Sequence, residues 1–176
     1  MGAIKILFSG KPGIGKTTAA LAVAKLIGRS KIAGFFTQEI RNDSGERVGF
    51  TIEDFSGNIA IMAKKGFKSF CRVGSYGVDI SAIEKIAIPS IERGIAEKKF
   101  IIIDEIGKME LFSEKFVRCV YETLTKNCSV LATITSRPNP IADDIKRVPG
   151  IEIIEITRMN RNIIPQIVYQ KILKYL

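Results

Sequence analysis

The fold is decided by Gly10-Lys11-Pro12-Gly13-Ile14-Gly15-Lys16-Thr17, which matches the pattern G-x-x-x-x-G-K-[ST] at every fixed position. The apolar run Ile4-Lys5-Ile6-Leu7-Phe8 directly precedes it and is typical of a strand. After it, apolar residues and strong helix formers continue at helical spacing to Ile27 and stop at Gly28. Strand, loop and helix in this order predict a phosphate-binding loop rather than a glycine-rich turn.

Such a loop binds phosphate groups in a defined way. Consecutive backbone N–H groups and the N-terminus of the following helix enclose the anionic phosphates. Lys16 is placed to reach the terminal phosphates, and the hydroxyl of Thr17 is placed to hold a magnesium ion. The sequence therefore indicates a nucleoside triphosphate as ligand and Mg²⁺ as cofactor.

Length and composition predict one domain spanning residues 1–176, because 176 residues with 46% hydrophobic content bury a sizeable core. The three cysteines show no C-x-x-C spacing and the chain has no histidine, so we expect neither a disulfide framework nor a structural zinc site. The apolar N-terminus lacks the basic leader of a signal peptide, and no uninterrupted apolar run approaches the roughly 18 residues of a membrane span. We therefore expect a cytoplasmic protein that does not enter a membrane.

The formal net charge of +9 is spread along the chain, without a dense basic run or interleaved aromatic residues. This pattern favours a solvated basic surface, which also attracts triphosphates. The charge permits a nucleic-acid partner, but no motif supports one, and no motif identifies a protein partner.

The segment after the first helix predicts antiparallel strands. Ile32–Ile40 and Val48–Phe55 flank a polar turn and predict a hairpin. Ile59–Ala63 predicts a third short strand, and residues 64–78 predict an exposed, glycine-bearing basic loop.

A helix follows this loop. Ser81 is a suitable N-cap with Glu84 three residues later, and apolar residues recur at helical spacing up to Ile95. Pro89 is expected to bend this helix.

The second half of the chain alternates strands and helices. Phe100-Ile101-Ile102-Ile103 is a β-branched run without polar alternation, which predicts a central strand buried on both faces. The elements after it are predicted as a helix over Ser113–Lys126, a strand over Val130–Thr135, a short helix over Ile141–Val148, a strand over Ile151–Ile156 and a helix over Asn162–Leu176. This order predicts an α/β fold of three layers, with a mostly parallel sheet, helices on both faces and an antiparallel hairpin addition.

Asp104 and Glu105 follow the predicted central strand directly. In a protein with a phosphate-binding loop, an aspartate at this place holds magnesium and an adjacent glutamate orients an attacking water. The alternative is that both carboxylates cap the next segment or pair with Lys108. The apolar strand and the loop together favour the catalytic interpretation, with Lys16, Asp104 and Glu105 as the catalytic set.

Several further roles stay open from the sequence. The side chain of Thr133 or Thr135 either senses the γ-phosphate or packs in its strand. The run Asn160-Arg161-Asn162 either contacts the base or caps the last helix. The arginines that are candidates for additional positive charge at the phosphates are Arg72, Arg137, Arg158 and Arg161.

The chain resembles the small standalone nucleoside triphosphatases of the cancer-related and thermophilic type. The run Asp104-Glu105-Ile106-Gly107-Lys108-Met109-Glu110-Leu111 carries the resemblance, together with Cys71-Arg72-Val73-Gly74 and Gly34-Phe35-Phe36-Thr37. The resemblance implies a RecA-like variant of the phosphate-loop fold, and slow, magnesium-dependent hydrolysis of ATP, GTP, CTP and UTP. The nucleotide-binding residues it implies are Gly10, Lys11, Pro12, Gly13, Ile14, Gly15, Lys16, Thr17 and Thr18, with Phe100, Ile101, Ile102, Ile103, Asp104, Glu105, Ile106 and Gly107.

Three functions are compatible with these motifs. The first is a triphosphatase in which Thr17 and Asp104 hold the metal and Glu105 positions water. The second is a kinase that transfers the γ-phosphate to a small acceptor, with the basic loop of residues 64–78 as a lid or acceptor site. The third is a nucleotide-switched binding module without catalysis. The first is favoured by the Asp-Glu pair.

Overall fold

The computed structural model describes residues 2–176 and has one continuous sheet with helices on both faces. Its strands are β1 (Lys5–Ser9), β2 (Ile32–Arg41), β3 (Arg47–Asp54), β4 (Ile59–Lys65), β5 (Arg72–Val73), β6 (Tyr76–Val78), β7 (Phe100–Ile106), β8 (Val130–Ile134) and β9 (Ile151–Glu155). Its α-helices are α1 (Lys16–Ile27), α2 (Ile80–Ala96), α3 (Glu114–Thr125), α4 (Pro140–Lys146) and α5 (Ile164–Ile172). Short 3-10 turns lie at Arg29–Lys31, Glu110–Phe112 and Leu173–Tyr175.

The nine strands lie in the order β5-β6-β4-β3-β2-β7-β8-β1-β9. The strands from β2 to β9 in this order pair in parallel, whereas β3, β4, β6 and β5 continue the sheet antiparallel from β2. Strand β8 separates the strand that precedes the phosphate-binding loop from the strand that carries Asp104. The loop and Asp104 therefore meet across β8 at the carboxyl edge of the parallel strands.

Two apolar clusters cover the two faces of the sheet. Residues alternate between them along β1, β8 and the apolar run of β7, so that Ile6 and Phe8 face one cluster and Leu7 faces the other. Helices α1 and α5 close the face of Ile6, and α2, α3 and α4 close the face of Leu7. The prediction of an α/β sheet covered by helices on both faces is confirmed, and β7 lies between β2 and β8, as expected for a central strand.

The antiparallel part of the sheet is larger than predicted. The segment 64–78, predicted as an exposed loop, contains β5 and β6, and Val78 of β6 pairs with Ala63 of β4. Gly77 lies within β6, and glycine is required there because a β-carbon would lie 2.3 Å from the Phe67 carbonyl oxygen. The loop prediction was wrong because this glycine marks a close backbone approach and not a turn.

The start of α2 also differs from the prediction. Asp79, and not Ser81, is the N-cap, and its side chain accepts a hydrogen bond from the Ala82 N–H at 3.1 Å. Apolar periodicity sets the buried face of a helix but leaves its first residue undetermined by one or two positions. Among residues 2–176, no helix has the length and apolar character needed to cross a membrane.

Candidate functional site

The phosphate-binding loop connects β1 to α1 and is held from one side by the segment after β9. The Ile156 N–H donates to the Ser9 carbonyl oxygen at 2.7 Å. A β-carbon at Gly10 would lie 2.7 Å from the Ile156 carbonyl oxygen, so only glycine lets the two segments approach this closely. The start of the loop is therefore fixed against the end of the sheet.

The side chain of Lys16 folds back towards the start of the phosphate-binding loop. Its Nζ donates to the Gly10 carbonyl oxygen at 3.3 Å, and the residue is 7% exposed. Because it is the first residue of α1, its ammonium lies at the positive end of the helix dipole, where an anion is favoured. Lysine and helix N-terminus together create a positive potential that favours an anion at this loop.

Asp104 links the loop to β7. Its Oδ1 accepts hydrogen bonds from the Thr17 hydroxyl at 3.0 Å and from the Thr133 hydroxyl at 2.6 Å. Its Oδ2 is buried and has no hydrogen-bond partner among the described residues. Burial raises the pKa of Asp104 to about 6, although the two hydroxyl donors act in the opposite direction. A buried carboxylate oxygen without a partner is the kind of atom that a bound cation completes.

Glu105 and Glu110 lie on either side of Gly107. A β-carbon at Gly107 would be 2.8 Å from Oε1 of Glu105 and 3.0 Å from Oε2 of Glu110, so both oxygens lie close to one point. Glu110 is 5% exposed and accepts a hydrogen bond from the Gly107 N–H at 3.2 Å. Burial, followed by the negative charge of Glu105, raises the pKa of Glu110 to about 8. A carboxyl group that is largely protonated near neutral pH therefore lies beside the candidate catalytic glutamate.

The other residues of the predicted second segment are mostly part of the core. Phe100, Ile101, Ile102 and Ile103 are buried in the two apolar clusters, as is Ile106. Asp104 and Glu105 are the members of this segment that carry a charge, and both lie at its carboxyl end. Their placement agrees with the rule that ligands bind beyond the carboxyl ends of parallel strands.

The two threonines of β8 and the turn after it differ in their contacts. Thr133 is fully buried and donates to Asp104. Thr135 accepts a hydrogen bond from the Arg137 N–H at 3.2 Å and lines a cavity beside Glu105. Thr133 therefore orients the carboxylate, and Thr135 faces open space.

The four candidate arginines are separated by their contacts. Arg72 donates to the carbonyl oxygens of Phe67 and Ser75, at 3.1 and 3.2 Å, and so holds its own turn. Arg137 lines the cavity beside Glu105. The Arg158 side chain has no hydrogen bond or ion pair to any of residues 2–176.

Arg161 lies across the phosphate-binding loop. Its Nη1 donates to the Ile14 carbonyl oxygen at 3.4 Å, and its Cδ is 3.7 Å from the position of a β-carbon at Gly15. Among the four arginines, it is the one with a contact to the loop.

Asn160 closes the turn before α5 and does not cap that helix. Its side chain accepts from the Thr157 N–H and donates to the Glu155 carbonyl oxygen, both at 2.8 Å. The N-cap of α5 is Ile163, which makes no side-chain capping bond. The capping interpretation of Asn160 was wrong, and the turn that Asn160 closes is the turn that carries Arg161.

Sequence reasoning assigned no role to Glu110 or to the cavity residues that come from the antiparallel strands. Glu110 lies between Met109 and Leu111, and an acid flanked by apolar residues is a weak signal of burial. Residues of strands β3, β4 and β6 line part of the cavity, and the pattern of polar and apolar residues in these strands does not show that they lie beside Glu105.

Comparisons with known proteins extend over nearly the whole chain. A family model described as NTPase matches residues 5–169. The nucleoside-triphosphatase THEP1 of Aquifex aeolicus is 43% identical over 169 residues, which cover 92% of this chain and 94% of that protein. The human cancer-related nucleoside-triphosphatase is 33% identical over 179 residues, covering 93% and 94% of the two chains.

A solved structure agrees with these matches. The crystal structure of THEP1 from Aquifex aeolicus superposes with a TM-score of 0.87 at 41% identity, covering 94% of this chain and 96% of the other. The chain therefore belongs to the NTPase family.

Proposed function

We propose that this chain, as one domain over residues 1–176, hydrolyses nucleoside triphosphates to the diphosphate and phosphate, with Mg²⁺ and with broad tolerance of the base. The observation that carries the proposal is the hydrogen bond between Thr17 of the phosphate-binding loop and Asp104 of β7. It joins the two halves of a phosphoryl-transfer site across β8. The separation of these strands by one strand also supports a RecA-like variant of the fold.

The residues at this junction fit a magnesium ion. Mg²⁺ prefers oxygen ligands and is usually held by one or two protein oxygens together with water and substrate phosphates. The unpaired Oδ2 of Asp104 and the hydroxyl of Thr17 supply such oxygens. Bound there, the ion would neutralise charge on the β- and γ-phosphates.

Lys16 and Glu105 have separate tasks in this proposal. When a triphosphate binds, the ammonium of Lys16 gives up its hydrogen bond to the Gly10 carbonyl oxygen and donates to phosphate oxygens instead. There it stabilises the charge of the transferring phosphoryl group. Glu105 orients the attacking water and accepts its proton as the bond to the diphosphate breaks. Thr133 keeps the Asp104 carboxylate directed at the loop.

The residues that form the proposed nucleotide site support broad base tolerance. Backbone N–H groups of the loop read phosphates and carry no information about the base. Arg161 donates to the Ile14 carbonyl oxygen of the loop, and a planar guanidinium in this place would contact a nucleotide by charge or by stacking on any base. We therefore include Arg161 in the nucleotide-binding set.

Phosphate release is the direct test. The protein is incubated with Mg²⁺ and with ATP, GTP, CTP or UTP in turn, and we expect release of phosphate from each. Glu105→Gln should keep triphosphate binding and lose at least about tenfold in kcat, which corresponds to about 1.4 kcal/mol of transition-state stabilisation. Undiminished kcat in this variant would remove Glu105 from the mechanism.

A further inference from the structure

A cavity of about 600 Å³ opens beside the phosphate-binding loop on the side of Glu105. Pro12 of the loop, Glu105 and Thr135 form one wall. The opposite wall comes from the antiparallel part of the sheet. One water occupies about 30 Å³, so the cavity exceeds what hydrolysis requires and falls in the range of small-molecule sites.

The wall from the antiparallel strands is aromatic. The rings of Phe50 and Tyr76 meet edge to face with centroids 5.3 Å apart. The guanidinium of Arg47 lies 5.1 Å from the Phe50 centroid and 5.7 Å from that of Tyr76. The Arg47 guanidinium donates one hydrogen bond to Glu39 at 2.8 Å and a second, from Nε, to the Tyr76 hydroxyl at 3.1 Å. The planar groups of this wall are therefore held in place before any ligand arrives.

The rim of the cavity is basic. Lys108 and Arg137 line it, and neither side chain has a hydrogen bond or an ion pair to another of residues 2–176. Arg47 also lines the cavity, but its charge is paired with that of Glu39, so among the described residues that line it the unpaired cations are Lys108 and Arg137. The acids are Glu105 and Glu110, and Glu110 is buried beneath Gly107. The charge at the opening is thus complementary to an anion.

We propose that this cavity binds a second ligand, a small planar anion, next to the site of the γ-phosphate. The aromatic wall of Phe50 and Tyr76 packs against the ring, and Lys108 and Arg137 pair with the anionic group. The position relative to the γ-phosphate rests on the proposed function, whereas the binding of the ligand does not. A ligand in this place occupies the approach of water to Glu105 and lowers hydrolysis without displacing the nucleotide.

The probe is naphthalene-1-sulfonate, a planar fluorescent monoanion, titrated into protein saturated with Mg²⁺ and a non-hydrolysable triphosphate analogue. We expect saturable binding of one probe per chain. Arg137→Gln should weaken it about tenfold, because a charged hydrogen bond contributes about 1.5 kcal/mol or more. The matched control Arg158→Gln removes an exposed arginine outside the cavity and should leave the affinity unchanged. The neutral analogue 1-naphthalenemethanol should bind more weakly than the sulfonate.

Kinetics provide the second readout. The probe should lower kcat for ATP hydrolysis and leave KM for ATP unchanged. A rise in KM for ATP would place the probe in the nucleotide site and overturn the proposal. The absence of saturable binding, or equal weakening by Arg137→Gln and Arg158→Gln, would also overturn it. If the proposed function is wrong, the protein will release no phosphate even without the probe. In that case the binding titration, which compares wild type with the two variants, still tests the cavity proposal.

Discussion

Arg158 and Arg161 belong to the same turn after β9 but differ in what their side chains contact. Arg161 donates to the Ile14 carbonyl oxygen of the phosphate-binding loop, whereas Arg158 has no partner among residues 2–176. We expect Arg161→Gln to raise KM about fivefold for each of the four triphosphates and to leave kcat nearly unchanged, since it removes binding common to ground and transition states. Arg158→Gln is the matched control and should change neither constant. A larger effect on kcat than on KM would assign Arg161 to the transition state instead.

Glu110 makes the stability of the ligand-free protein depend on pH. The pKa of this carboxyl rises from 4.5 to about 8 on folding, so the native state keeps a proton that the unfolded state loses between these values. The free energy of unfolding should therefore fall as pH rises from about 5 to about 8, by a few kcal/mol at 1.36 kcal/mol per unit of pKa. Glu110→Gln should remove most of this fall, measured by urea unfolding at both pH values.

The control for this measurement is Glu92→Gln, which changes an exposed acid of α2 without a hydrogen-bond partner among the described residues. It should keep the wild-type dependence on pH. If Glu110→Gln also keeps it, Glu110 is ionised in the folded protein. Asp104 adds a smaller fall in the same direction, because its pKa is raised to about 6.

Side-chain placements that depend on chain spacing could be predicted, and placements that depend on burial could not. Lys16, Thr17 and Asp104 follow from a loop pattern and from a strand end, and the structure brings the last two into contact. Thr133 and Glu110 acquire their contacts only when β8 and the turn after β7 pack, and no local pattern encodes that. From the sequence, Thr133 could either sense the γ-phosphate or pack in its strand. In the structure its hydroxyl orients the Asp104 carboxylate.

Among the elements, helix α2 allows its predicted cap, Ser81, to be compared with its observed cap, Asp79. Asp79 accepts the Ala82 N–H, whereas Ser81 lies one residue inside the helix. Asp79→Ala should lower the free energy of unfolding by about 1 kcal/mol. Ser81→Ala, also exposed, should change it by less than about 0.5 kcal/mol. Urea unfolding of both variants checks the assignment, and the reverse order would restore Ser81 as the cap.

The elements of the parallel sheet were the most predictable. The apolar run of β7 and the strand–loop–helix unit of β1 and α1 have strong local signals, and their observed bounds differ from the predicted ones by a few residues at most. Strands β5 and β6 are two and three residues long and contain or flank glycines, so their sequence resembles a loop. They become strands because β4 offers a free edge, which is a tertiary effect.

For the whole molecule, we expect nucleotide binding to stabilise the fold, because the proposed site joins the loop after β1 to the end of β7. A non-hydrolysable triphosphate with Mg²⁺ at about 100 times its Kd adds about 2.7 kcal/mol to the free energy of unfolding. For a chain of this length, Tm should rise by roughly 5–10 °C in a thermal melt. Lys16→Ala should abolish most of the rise, since the ammonium acts on the bound phosphates. An equal rise in the variant would mean that Lys16 does not bind them.

The four antiparallel strands form one unbroken stretch of chain, from β3 to β6, inserted between β2 and α2. Lys16, Thr17, Asp104 and Glu105 all lie outside this stretch, whereas Arg47, Phe50 and Tyr76 lie inside it. The aromatic wall of the cavity and the residues proposed to act on phosphate therefore come from separate stretches of the chain, so that exposed substitutions within residues 47–78 can alter the cavity and leave the proposed phosphate site intact.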